Sequence, residues 1–286
     1  VTTAKTRARR AVRTVTRTVG RWTSGSRLTP SFLIVGAQRC GTTSLFKTLS
    51  QHPAVLPAVY HKGVHYFDTA YDKGIDWYLG HFPMARKAEA VRETLGVRGI
   101  TGESSPYYMY HPLAPQRIAQ DLPEVRLLVL LRDPVERAYS AHAHELARGF
   151  ETEPFERALE LEAGRIAGQR ERMLADPTYN SEHFQHNAYV TRGQYVEQLE
   201  HLEAVFGRQR VHVVDSDEFF ADPRPAFDGV CDFLGLPRWD DIAFGKHNAR
   251  ARSPMSEQLR ARLDEHYRPY DERLAAWWGR VPSWRR

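Results

Sequence analysis

Three short stretches of the chain are almost uninterruptedly apolar, and a glycine or charged residue closes each. Residues 32–35 (Phe-Leu-Ile-Val) run into Gly36, residues 125–131 (Val-Arg-Leu-Leu-Val-Leu-Leu) into Arg132, and residues 211–214 (Val-His-Val-Val) into Asp215. Runs this short, rich in aliphatic and β-branched side chains, predict buried strands. A fourth, weaker strand is expected at 100–103. Leu45, Phe46 and Leu49 continue at helical spacing after the small, polar stretch 36–44, and 195–206 has a helical pattern ahead of the third run. A further helix is expected to open at Asp133-Pro134, because proline is tolerated in a first turn. Strands alternating with helices predict an α/β fold of three layers, with a mainly parallel central sheet flanked by helices. The polar, weakly periodic segment 163–187 is expected as a long loop or a substrate-facing insertion. Two helices, about 255–267 and 270–279, are expected to pack at the C-terminal end.

Composition adds an asymmetry. The 286 residues carry 40 Lys+Arg and 35 Asp+Glu, yet residues 1–67 hold eleven of the bases and no acid; Asp68 is the first carboxylate. Mean hydropathy is −0.55, and no apolar run approaches membrane-spanning length. Residues 1–30 read as a basic, flexible tail ahead of a single domain at 31–286. Val12, Val15, Val19 and Trp22 make a thin apolar stripe in it. Such a segment fits contact with an anionic membrane or an acidic partner, a transit peptide, or a frayed tail. Two cysteines, Cys40 and Cys231, and thirteen scattered histidines form no C-x-x-C or H-E-x-x-H pattern. A metal is not expected, and a reducing cytoplasmic setting is.

The chemistry concentrates after the first strand. Gly36-Ala-Gln-Arg39-Cys40-Gly41-Thr42-Thr43-Ser44 has the spacing of a phosphate-cradling loop ahead of a helix N-terminus, but Thr42 stands where a nucleotide-hydrolysing loop carries lysine. Cys40 reads as a packed thiol rather than a nucleophile, since no His/Asn pattern accompanies it. A second constellation follows the strongest strand, with Arg132 at its end and Ser140 two helical turns on. A guanidinium and a hydroxyl converging there suit a phosphate. Arg132 could equally pair with Asp133 or Glu136.

Together these two stretches resemble the sulfotransferases that use 3′-phosphoadenosine 5′-phosphosulfate (PAPS), and are most like the heparan-sulfate glucosaminyl sulfotransferase group and its bacterial relatives. The likeness extends to Lys62-Gly63-Val64-His65-Tyr66-Phe67-Asp68, to Glu103-Ser-Ser-Pro106-Tyr-Tyr108, and to Arg192-Gly-Gln-Tyr195. It implies a P-loop-like fold and in-line sulfuryl transfer from PAPS to a hydroxyl or amine, leaving PAP (3′,5′-ADP), with no metal. It further implies that Arg39 contacts the phosphosulfate and stabilises the leaving oxygen, while Cys40, Gly41, Thr42, Thr43 and Ser44 line that group. Arg132 and Ser140 are implied to hold the 3′-phosphate. The basic loop containing Asn248 and Arg250 either covers the nucleotide or is a solvated charge run.

The chain departs from the family at the base. Relatives of the heparan-sulfate group carry a catalytic glutamate where this sequence has Gly63. His65 is the expected substitute, with Asp68 orienting it or the substrate and Glu103 as an alternative base. Lys62 and Tyr108 are expected to contact the acceptor. Ser104 replaces a family lysine, and Cys231 lacks a partner for the family's hairpin disulfide. These departures leave the acceptor open: a small molecule, a glycan or a glycolipid, with nucleic acid not expected. The Ala/Arg-rich composition suggests a bacterial source. Two rivals stand beside this reading, a P-loop kinase and a non-catalytic polyanion-binding protein.

Overall fold

The computed structural model describes residues 20–58, 63–245 and 255–286. Expectations placed on residues 1–19, on Lys62, and on Asn248 and Arg250 lie outside the described residues. Four parallel strands form one sheet: β1 (Phe32–Gly36), β2 (Gly102–Ser104), β3 (Arg126–Leu131) and β4 (Val211–Asp215), in the spatial order β2-β1-β3-β4. All of β1 and all of β3 except Arg126 are buried. Burial on both faces is what an all-parallel sheet requires, and it explains why these strands read as continuous apolar runs.

The helices are α1 (Thr42–Leu49), α2 (Tyr66–Thr69), α3 (Ile75–Leu79), α4 (Arg86–Leu95) and α5 (Ala114–Asp121) in the first half. After β3 come α6 (Pro134–Arg148), α7 (Phe155–Ile166), α8 (Gln169–Ala175), α9 (Glu182–His186) and α10 (Tyr195–Phe206). After β4 come α11 (Ser216–Ala221), α12 (Pro223–Leu234) and α13 (Glu257–Trp278). Asp133 caps α6 by accepting from the N–H groups of Val135 and Glu136, with Pro134 in the first turn. The chain leaves β1 for β2 on one side and then crosses to β3 on the other. The gap between the carboxyl ends of β1 and β3 is therefore the topological switch point, where open α/β sheets bind ligands.

Three expectations change. The C-terminal pair of helices is one helix, α13, continuous through Pro269. Proline removes one N–H bond, but Leu259, Leu263, Tyr267, Asp271 and Leu274 stay buried along one face on both sides of it. That packing outweighs a proline cost of about 3 kcal/mol. Segment 163–187 is largely helical rather than a loop; Met173 and Phe184 pin it against Tyr107. Residues 20–30 belong to the folded unit rather than to a tail. Leu28 is buried, its N–H donates to Pro83 O (2.8 Å), and Ala85 N–H donates to Ser26 O (2.9 Å).

Glu151 ties the α6–α7 connection together. It accepts from Arg165 (2.7 Å), from the N–H groups of Thr152 (2.9 Å) and Glu153 (3.0 Å), and from the Tyr189 hydroxyl (3.0 Å). Burial pushes its carboxyl up, but these donors more than offset burial and hold it at about 2, from an ordinary 4.5. A depressed carboxyl contributes stability above its unfolded value and loses it as pH falls toward the folded one. Thermal unfolding across this acid range should therefore show stability falling from pH 4.5 toward 2. Glu151→Gln should remove about 2 kcal/mol at neutral pH and flatten that acid limb. An unchanged limb would rule Glu151 out as its source.

Candidate active site

The loop after β1 is shaped by backbone geometry that few residues accept. Gly41 caps α1 at φ +87°, and a Cβ there would lie 2.9 Å from the Phe220 ring and 3.2 Å from Ser216 Oγ. Arg39 also sits in the left-handed region, at φ +71°. A non-glycine residue held there is uncommon, and such strain tends to collect at functional positions. The loop is fixed from beneath: Ser216 Oγ donates to Cys40 O (2.7 Å), and the Cys40 thiol lies 3.6 Å from the Tyr195 hydroxyl. Burial raises that thiol to about 11, so Cys40 is the packed side chain its surroundings suggested and not a thiolate. Ser44 is fully buried with its N–H donating to Gly41 O (2.9 Å), beneath the loop; Thr42 is buried and Thr43 half-buried. The first turn of α1 contains no acid, leaving its positive end uncompensated.

The two motifs meet at the switch point. Arg39 Nε donates to Ser140 Oγ at 3.0 Å, a contact between residues 101 positions apart. Arg132 stands half-buried at the end of β3, 3.6 Å from Glu136. The pairing of Arg132 with an acid is thus present, but both neighbouring acids are claimed by another cation. Arg260 of α13 reaches Asp133 (2.7 Å) and Glu136 (2.8 Å). The Tyr195 hydroxyl donates to Arg132 O (3.0 Å), so one side chain braces both loops.

Gln38 links this loop to the helical insertion. Its carbonyl accepts from Arg192 (2.6 Å), and its amide donates to the buried Glu145 (3.2 Å). Arg192 also donates to Phe184 O and Gln185 O, and lies 4.8 Å from the ring centres of both Tyr107 and Tyr110. Burial opposes the charge on Glu145, but a hydrogen bond and the positive charge of His186, with Arg148 beside it, hold its carboxyl below the ordinary range. Arg192 belongs to a stretch that the sequence singles out without a role. Arg260, Gln38 and Glu145 carry no local signal, because tertiary packing alone brings them here.

On the far side of β1, His65 caps α2 at φ +54°. Its Nδ1 lies 2.7 Å from Asp68 Oδ2, the imidazole being 45% exposed and the carboxylate fully buried. Asp68 is fixed in turn: Oδ1 accepts from Thr69 N–H (2.6 Å), and Arg117 donates to the carbonyls of Phe67 (2.9 Å) and Asp68 (3.3 Å). Asp68 is thus held against His65, with its carboxylate buried. A Cβ on Gly63 would sit 2.8 Å from Ser104 O and 3.5 Å from His65 Nε2. The backbone thus leaves no room for a glutamate at 63, and the imidazole edge occupies the space beside it.

Two expectations are corrected here. Glu103 is wholly buried on β2, where it accepts from Val64 N–H (2.9 Å), Ser105 (2.6 Å) and Tyr108 (2.6 Å). Burial pushes its carboxyl up, with those donors opposing. It anchors the loop that leads into His65, and its burial offers an acceptor no exposed oxygen. Tyr108 is equally buried, donating to Glu103 and accepting from Tyr66 N–H (2.9 Å), so it is no acceptor contact. Among the described residues, no group of His, Cys, Asp and Glu side chains could hold a metal ion.

Residues 29–268 match the sulfotransferase domain family. A sulfotransferase from Alicyclobacillus acidocaldarius, known by crystal structure, is 31% identical, covers 90% of this chain and 99% of its own, and superposes with a TM-score of 0.66. The human heparan sulfate glucosamine 3-O-sulfotransferase 3B1 is 28% identical over 91% of this chain and 66% of its own length. The Dictyostelium discoideum membrane-associated sulfotransferase kil1 is 24% identical over 86% of this chain and 64% of its own. The chain thus spans somewhat less than two thirds of these curated relatives. The chain belongs to the sulfotransferase domain family.

Proposed function

We propose that the protein transfers a sulfuryl group from PAPS to a hydroxyl or amine of a small-molecule, glycan or glycolipid acceptor. The observation that carries this reading is the Arg39–Ser140 contact across the switch point, on a loop whose kinase lysine is replaced by Thr42. PAPS carries its activated sulfuryl group at the end of the 5′-phosphate and a separate phosphate at the 3′ position of the ribose. The residues present suit both groups. Arg39 and the N-terminal turn of α1 face one anion, while Arg132 and Ser140 face another, and Gly41 lets the loop close against Phe220 and Ser216.

In this arrangement His65 is the base. Asp68 accepts from Nδ1–H, which leaves Nε2 with a lone pair for the acceptor proton. As the acceptor oxygen bonds to sulfur, Arg39 and the α1 donors neutralise the charge that develops on the departing phosphate oxygen. No carboxylate precedes Asp68 in the chain, so the leaving-group loop meets no repulsion from its own segment.

Three measurements test the reading. Thermal denaturation should show clear stabilisation by 3′,5′-ADP and little by 5′-ADP or ATP, with the preference lost in Arg132→Ala; equal stabilisation by ATP would favour the kinase reading. Gly41→Ala should abolish that stabilisation, because it needs a left-handed alanine against Phe220, a cost of about 1–3 kcal/mol. In a sulfate-transfer assay with a competent acceptor, His65→Ala should lower kcat by about 100-fold to 10,000-fold while 3′,5′-ADP still binds. Asp68→Asn should give a smaller loss with an altered pH profile. Wild-type turnover in His65→Ala would remove His65 from the reaction.

A further inference from the structure

We propose that Arg192 is a positioning residue that, through Gln38, fixes the loop bearing Arg39 relative to the segment bearing His65. The inference rests on the sulfuryl-transfer reading above and gives a role to a buried residue outside the ligand-facing set. Arg192 lies in the turn Thr191–Gly193, and that turn has little freedom. The buried Glu162 of α7 accepts from three successive N–H groups, Tyr189 (2.8 Å), Val190 (2.6 Å) and Thr191 (2.9 Å), and from the Thr191 hydroxyl (2.9 Å). The Tyr267 hydroxyl of α13 donates to Val190 O (3.0 Å), and a Cβ on Gly193 would lie 2.7 Å from that same hydroxyl.

From this fixed turn the guanidinium reaches both halves of the site. Nη1 donates to Gln38 Oε1 (2.6 Å), one residue before the left-handed Arg39. Nη2 donates to Phe184 O (2.9 Å) and Gln185 O (2.6 Å) of α9. The guanidinium carbon lies 4.8 Å from the Tyr107 ring centre. Tyr107 adjoins Tyr108, whose hydroxyl accepts from Tyr66 N–H (2.9 Å) beside His65 and donates to Glu103 (2.6 Å). Gln38 is held at its other end as well, where its amide donates to Glu145 (3.2 Å). A cation on one side and a carboxylate on the other permit a single orientation of that amide.

Stability alone does not account for this arrangement. Arg192 is 4% exposed, its acceptors are neutral oxygens, and among the described residues its Nε has no acceptor. Burying a cation in this way costs free energy that an apolar side chain would not. What the guanidinium supplies is a rigid planar fork. It bonds the loop and α9 together while lying against tyrosine, which the single ammonium of lysine cannot do. In-line transfer tolerates little error in the separation of base and sulfur, and a misplacement of about 1 Å can cost about 100-fold in rate. Arg192 spans the elements that set this separation.

Two variants of the full chain test this. Arg192→Lys keeps the charge and loses the fork, while Gln38→Ala removes the link and leaves the turn intact. In the ligand-free protein, the loop amides of Ala37 and Cys40 donate to Leu130 O and Ala37 O. Their hydrogen exchange should quicken about tenfold in each variant. With PAPS and a competent acceptor, well below the melting temperature, each variant should lower kcat by about 100-fold while 3′,5′-ADP affinity changes by less than about threefold. The double variant should be no worse than Gln38→Ala alone, because both changes break one link. Unchanged loop exchange in both variants would overturn the link whatever reaction the protein catalyses. Losses in kcat that multiply in the double variant would overturn it too. A lowered melting temperature with wild-type kcat would make Arg192 a structural anchor only. Altered loop exchange in a protein whose wild type neither binds 3′,5′-ADP nor transfers sulfate would instead remove the sulfotransferase reading and leave the link standing.

Discussion

The contact between Arg39 and Ser140 is the interaction on which the site depends. It joins the loop after β1 to the helix after β3, and nothing in local sequence can form it. It needs β1 and β3 paired in parallel, which puts both strand ends on one rim. It also needs a left-handed Arg39 and a glycine at 41, so that the loop folds back against α11 instead of running straight into α1. The cost of that backbone is met by burial around it. Cys40, Tyr195 and Ser216 form a floor that cannot shift without exposing packed surface or stranding hydrogen bonds.

The spatial order of strands then arranges the chemistry. From β2 through β1 to β3 the rim presents the His65–Asp68 pair, the Arg39 loop, and Arg132 with Ser140. In the reaction proposed above, the acceptor, the sulfuryl group and the 3′-phosphate would follow that order. Buried carboxylates near the site are each committed: Glu103 to the loop leading into His65, Glu145 to Gln38, His186 and Arg148, and Asp68 to the imidazole. Acids are therefore used as scaffolding.

Much of the fold was legible because the parallel strands are buried on both faces and so cannot alternate. β1, β3 and β4 appear as apolar runs to within about a residue at their ends. What misled was polarity and proline read locally. Pro269 looked like a helix break, yet the buried face of α13 continues across it. Segment 163–187 looked like a loop because its few apolar anchors are scattered. At the site, the loop and Ser140 stand out as motifs, while Glu103 and Tyr108, expected at the acceptor, lie buried. A polar residue inside a motif can be reactive or structural, and only burial distinguishes the two. The Arg192–Gln38–Glu145 chain was invisible because its members come from three separate elements.

The absence of a glutamate at 63 takes a physical form. Ser104 O stands where its Cβ would begin, and the imidazole of His65 fills the adjoining space. A double-mutant cycle on 3′,5′-ADP binding tests the central claim most directly, using Arg39→Ala, Ser140→Ala and the pair, measured by calorimetry. The Arg39–Ser140 contact between the two anion sites predicts that each variant weakens binding and that the effects are coupled by about 0.5 kcal/mol or more. Strictly additive losses, or affinity unchanged in either single variant, would contradict it.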